Sequence, residues 1–169
     1  MKENRTLRRA STADLPAIRA VLQAARHIMW ESGNLHQWGP GYPPESAILS
    51  DIGREGGFVF EEDGTVVAYF AFLPSPEPTY HEIQDGTWLD AVRPYHVVHR
   101  MASFPGVHGI FRDTLDFCFS QDSNIRIDTH RDNAIMRHNL LKYGFSYCGI
   151  IHVADGSERL AYQRISDAG

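Results

Sequence analysis

The spacing of apolar and polar positions along this 169-residue chain predicts a mixed succession of strands and helices. Residues 5–10, RTLRRA, have the length of a short edge strand. Ser11, Thr12 and Asp14, with Pro16 in the first turn, are helix-start signals. Leu15, Ile18, Leu22, Ala25 and Met29 then recur at spacings of three and four, the period of one helical face. Gly33-Asn34 ends that helix, and QWGPGYPP (37–44) is turn-rich and reads as a loop. A second helix is predicted over 45–54 with Ile48, Leu49 and Ile52 inward. GFVFEE and TVVAYFAFL flank Asp63-Gly64, and an Asp-Gly between two strand-like runs is a strong hairpin signal. Pro74, Pro76 and Pro78 stop the second strand, because proline cannot donate to a ladder. A long connection over 79–94 carries Tyr80, Glu82, Asp85 and Trp88, and a strand resumes over 95–103.

The second half has a different rhythm. A Pro/Gly loop, 104–109, opens into a helix whose buried stripe is predicted to be Phe111, Leu115, Cys118 and Phe119. Residues 124–130 form a strand. Asp132 and Asn133 are good caps for a helix running to Tyr143, and Gly144 stands where a terminating glycine belongs. FSYCGIIHV and RLAYQRI make two further strands across an Asp155-Gly156 turn. The predicted order is β-α-α-β-β-β-α-β-α-β-β, read as one α/β (α+β) domain over residues 1–169.

Composition narrows the function classes. Hydrophobic residues make up 43% and charged residues 22%, which suits a packed core rather than a disordered chain. No apolar run approaches the ~20 residues of a membrane helix, and the polar, basic start has no apolar stretch behind it. The formal charge of −5 disfavours general binding to nucleic acid. Cys118 and Cys148 form neither a disulfide framework nor a metal knuckle, so a reducing, cytoplasmic setting is expected.

The chemistry is concentrated where HRMAS runs into FPGVHGIFRDTLDF. A strand entering a glycine-containing loop and then a helix presents unpaired N–H groups to an anion. The register Gly106, Gly109, Phe111 resembles the phosphate loop of the GNAT acyltransferases, with the middle glycine matching. NAIMRHNLLKYGF resembles that family's downstream helix, with Asn133, Gly144 and Phe145 in register. The phrases QWGPGYPPESAILSDI, TYHEIQDGTWL, YHVVHRMAS, RIDTHRDN and ADGSERLAYQR extend the likeness over nearly the whole chain, to a bacterial subgroup of undefined acceptor.

The resemblance implies the GNAT fold, a mostly antiparallel mixed sheet flanked by helices, with splayed fourth and fifth strands. It implies acetyl-CoA as acyl donor, an N-acetyltransferase activity, and a primary amine of a small molecule or peptide as acceptor. Coenzyme A contacts are expected at Met101, Ala102, Ser103, Val107, His108, Gly109, Ile110, Phe111, Arg112 and Asn133. Family members are frequently dimers, so a homodimer is compatible with it. The tyrosine that often protonates the leaving thiolate is replaced by Leu140.

A base must therefore be sought in the residues themselves. His99 shares the face of Met101 if the strand is unbulged, and histidine titrates in the useful range; the bland reading is a packed strand histidine. Glu82 and Asp85 are further acid–base candidates, or simply solvated loop carboxylates. Trp38, Tyr42, Tyr80 and Trp88 form either an aromatic, cation-friendly acceptor cleft or core packing. A metal site is not expected: His96 and His99 point to opposite faces, and Asp128 with His130 lacks a third ligand. The rival reading is a catalytically inactive GNAT-like module that senses an acyl-CoA.

Overall fold

The computed structural model describes residues 1–166. The strands are β1 (Arg5–Arg9), β2 (Gly57–Glu62), β3 (Thr65–Pro74), β4 (His96–Ser103), β5 (Asn124–Thr129), β6 (Ser146–His152) and β7 (Glu158–Ile165). The helices are α1 (Leu15–Glu31), α2 (Glu45–Gly53), α3 (Ile110–Gln121) and α4 (Ala134–Tyr143). This is the order expected from the apolar spacing. One sheet holds all seven strands in the order β1-β2-β3-β4-β5-β7-β6, and every pairing is antiparallel except β4 with β5. The β2–β3 turn is built as anticipated, with Asp63 and Gly64 at φ of 51° and 80°, the left-handed pair a tight hairpin needs.

Alternation along the strands feeds two faces. On one, Phe58, Phe60, Phe70, Phe72, Val98, Ile125 and Ile127 pack against Leu115 and Cys118 of α3 and Leu140 of α4. On the other, Val59, Tyr69 and Ala102 meet Ile18, Val21 and Leu22 of α1 and Ile48 of α2. Further along that second face, Val97, Ile151 and Ala161 are covered by Tyr80 and Trp88 from the 75–95 connection. Burial of these side chains supplies the main folding force, about 1.5–3 kcal/mol for each large one. One inward expectation fails: Leu49 is 42% exposed, because α2 turns Ile48 and Asp51 to the core instead.

Two irregularities in β4 position the site. It pairs with β5 only at His96↔Ile125 and Val97↔Arg126, after which the two strands diverge. Against β3, Tyr69 faces Ala102 but Ala71 faces His99, so β4 carries one extra residue. Arg100 absorbs it at φ 55°. This is a β-bulge, and it bends the strand and re-aims side chains.

Candidate active site

The bulge corrects the expected direction of His99. Val98 and Met101 both pack toward α3 and α4. The two residues between them, His99 and Arg100, both project to the opposite face, where His99 meets Glu77, Tyr80 and Asp128 and Arg100 meets Asp51. His99 and Met101 are thus on opposite faces of the sheet, since the extra residue breaks the period of two.

His99 is the centre of a polar cluster. Its Nε2 lies 3.3 Å from Glu77 Oε2, and its Nδ1 lies 4.0 Å from Asp128 Oδ2. The Tyr80 hydroxyl donates to the same Asp128 oxygen at 2.6 Å. Glu77 is also held by Thr79, whose hydroxyl donates to Oε1 at 2.8 Å. Burial works against the Glu77 charge, but the bonds from His99 and Thr79 prevail and hold its pKa down at about 2. Burial, followed by the Asp128 charge, pushes the Tyr80 hydroxyl well above its ordinary value, so it stays a donor. His99 on β4 and Asp128 on β5 stand on opposite lips of the gap that opens beyond Val97.

The carboxylates anticipated from sequence are elsewhere. Glu82 and Asp85 are exposed. Their segment is drawn across the sheet by Gln84, which bridges to Ile150 of β6, and by Gly86, which lies against the Cys148 backbone. That anchor is two strands beyond β5. Nothing local in the sequence marked Glu77, a carboxylate beside two prolines. Asp128 stands out in the sequence only beside His130, and its period-two relation to Arg126 puts it on the face of that residue.

The four aromatics do not line one cleft. Trp38 is buried in the α1–α2 core, where its carbonyl accepts from Trp30 Nε1 at 3.1 Å and Tyr42 tilts against its ring. Trp88 and Tyr95 sandwich the Arg126 guanidinium at 4.0 and 3.9 Å. Tyr80 is 1% exposed, so it orients Asp128 rather than walling a cleft. Of the four, Tyr42 alone is substantially exposed.

At the C-terminal end of β4 the chain enters the phosphate-loop candidate. Gly106 and Gly109 adopt φ of 81° and 86°, and Gly109 caps α3. Among the described residues, the amides of Gly109, Ile110, Phe111 and Arg112 have no protein acceptor. Phe111 turns its ring edge-on to Tyr143 in the core. Arg5, buried at 3% exposure, braces the loop from beneath: its guanidinium pairs with Glu62 and Asp113 and donates to the His108 carbonyl at 2.7 Å. Drawing that carbonyl inward leaves the amides facing out, a donor set that fits a pyrophosphate. Met101, Ala102 and Ser103 border the open edge of β4. Asn133 caps α4 through Oδ1 and donates from Nδ2 to Gln37 Oε1 at 3.1 Å. Leu140 is fully buried, so α4 offers no acid there.

No family model and no curated protein matches this sequence. Solved structures do. An acetyltransferase of the GNAT family from Streptococcus agalactiae is 30% identical, with 99% of this chain and 98% of that one covered at a TM-score of 0.86. This chain belongs to the GNAT acetyltransferase family. More distant GNAT-like structures share the fold. The ribosomal-protein-S18-alanine N-acetyltransferase of Escherichia coli is 17% identical, covers 98% of this chain and 96% of its own, and has a TM-score of 0.62. The YncA protein of Salmonella typhimurium, solved with its cofactor acetyl-CoA, is 17% identical, covers 99% and 96%, and scores 0.61. The loop follows the C-terminal end of β4, and His99 lies on β4 just past the point where it parts from β5.

Proposed function

We propose that the chain is an N-acetyltransferase that moves an acetyl group from acetyl-CoA directly to a primary amine, with His99 as the proton acceptor. The observation that carries this reading is the pairing of His99 with Asp128 across the mouth of the splayed strands. Their 4.0 Å separation is too long for a direct hydrogen bond, yet one amine nitrogen can touch both. Glu77 at Nε2 holds the imidazole so that Nδ1 carries the free lone pair, as a carboxylate does in other His-based sites.

Acetyl-CoA supplies the activated acyl carbon. The amides of Gly109 to Arg112 hold its pyrophosphate, and Val107 and His108 flank it. The backbone of Arg100 and Met101, left out of register with β3 by the bulge, donates to the carbonyl oxygen as it gains charge. In balance, the amine forms a C–N bond as the C–S bond breaks, Nδ1 of His99 receives the amine proton, and the thiolate takes one from solvent or from the imidazolium. An acid is dispensable there, because a thiolate is a good leaving group near neutral pH.

Thermal melting with acetyl-CoA, followed by mass analysis of amine mixtures incubated with it, tests this. The reading expects a melting temperature that rises with acetyl-CoA and an acetylated amine. Stabilisation with no acetylated product over a broad panel favours an acyl-CoA sensor module instead.

A further inference from the structure

Beside the amine end of the gap lies a corner where four donors share one acceptor. It adjoins Asn34 Oδ1, unpartnered among the described residues, and the Asp132 carboxylate 3.5 Å from His130 Nδ1. Asn34 Nδ2, Thr129 Oγ1, the His130 backbone N–H and Asn133 Nδ2 all converge on one neutral oxygen, Gln37 Oε1, at 3.0, 3.3, 3.4 and 3.1 Å. Arg159 reaches the same place, donating to the Gln37 carbonyl at 3.2 Å. It is 7% exposed and has no carboxylate within 4 Å among the described residues. Burial and then the Arg159 charge lower the His130 pKa, against the Asp132 charge. A buried guanidinium ordinarily pairs with an anion. Here its partners are the backbone carbonyls of Gln37 and Glu158 and the Ser157 hydroxyl.

The other pole of the same gap is acidic, with Glu77 and Asp128 bracketing His99. Asp128 and His130 are two residues apart on one face of the chain, so the poles are separated by about 7 Å at ~3.3 Å per strand residue. That span is short enough for one small molecule carrying an amine and a carboxylate to reach both poles.

We infer that the acceptor is a small amino-carboxylate. Its amine sits between His99 and Asp128. Its carboxylate takes the place of the Gln37 carboxamide among the four donors, with Arg159 as counter-ion. Gln37 then acts as a plug on the 34–44 loop that the correct acceptor displaces. A carboxamide or simple amine leaves these donors facing a neutral group, and a site built for hydrogen-bonding a group rejects analogues lacking it. The inference rests on the acetyl-transfer reading above.

The test measures acetyl-CoA-dependent release of coenzyme A thiol with matched pairs, each a free amino acid and its carboxamide, over small, apolar and polar side chains. The free acids are expected to exceed their carboxamides about tenfold or more in kcat/KM. That ratio should fall toward one in Arg159→Gln and in Gln37→Glu, whose carboxylate occupies the corner from within the chain. Equal or faster turnover of carboxamides overturns the inference and leaves acetyl transfer standing. A preference that persists unchanged in both variants also overturns it, by assigning the carboxylate elsewhere. No release from any pair while another primary amine is acetylated overturns the inference alone, and no release with any amine contradicts acetyl transfer and this inference with it.

Discussion

Arg100 and Asp51 join the bulge of β4 to α2 through two hydrogen bonds, Nε to Oδ2 at 2.8 Å and Nη2 to Oδ1 at 2.5 Å. Tyr69 adds a third to the same carboxylate at 2.6 Å. Asp51 is 1% exposed, so its charge is tolerable only because all three donors are present. A non-glycine residue at φ 55° costs energy of its own, and this ion pair offsets it. The bulge that separates His99 from Met101 is therefore secured by a helix on the His99 face of the sheet.

Asp51→Ala should strand the Arg100 cation in the core. Removing one partner of a buried pair costs about 3–5 kcal/mol. Urea unfolding of this variant should show a loss of that order, and a change under about 1 kcal/mol would mean the pair does not anchor the bulge.

The Glu77–His99 pair makes a pH prediction. Glu77 is depressed from 4.5 to about 2 in the folded chain, so its stabilising contribution is complete above the ordinary value and lost as pH falls from about 4.5 to 2. Glu77→Gln should flatten the acid limb of stability across that window. An identical acid limb in wild type and variant would contradict the pairing.

The phosphate loop gives a third. A Cβ on Gly109 would meet Arg5 Nη1 at 3.3 Å, and the residue sits at φ 86°, which side chains avoid. Gly109→Val should raise the KM for acetyl-CoA about tenfold or more while leaving much of kcat, since phosphate contacts are made equally in ground and transition states. A fall in kcat alone would place the loop in another role.

The succession of elements was legible because it rests on local signals: the Asp63-Gly64 turn, the α1 stripe from Leu15 to Met29, and the Asn133 and Gly144 caps. The strand–loop–helix setting of Gly109 was legible by position more than by residues, since Gly109 is the one glycine that matches the family's loop. The direction of His99 was not legible, because a bulge inserts a residue without any mark in the alternation, and Arg100 is not a residue type that advertises a positive φ. Glu77 and Asp128 are 51 residues apart in sequence and meet only through the divergence of β4 from β5. Arg5 and Gln37 act through contacts with residues far along the chain, Asp113 and Asn133, which no spacing reveals.

The most direct measurement of the central claim is the pH dependence of acetyl-CoA-dependent thiol release in wild type and in His99→Gln, each with the best amine acceptor. With His99 as base, the variant should lose about 10²–10⁴-fold in kcat, and its pH–rate profile should change shape. A variant that keeps wild-type kcat and an unchanged profile would contradict the role of His99 and the mechanism built on it.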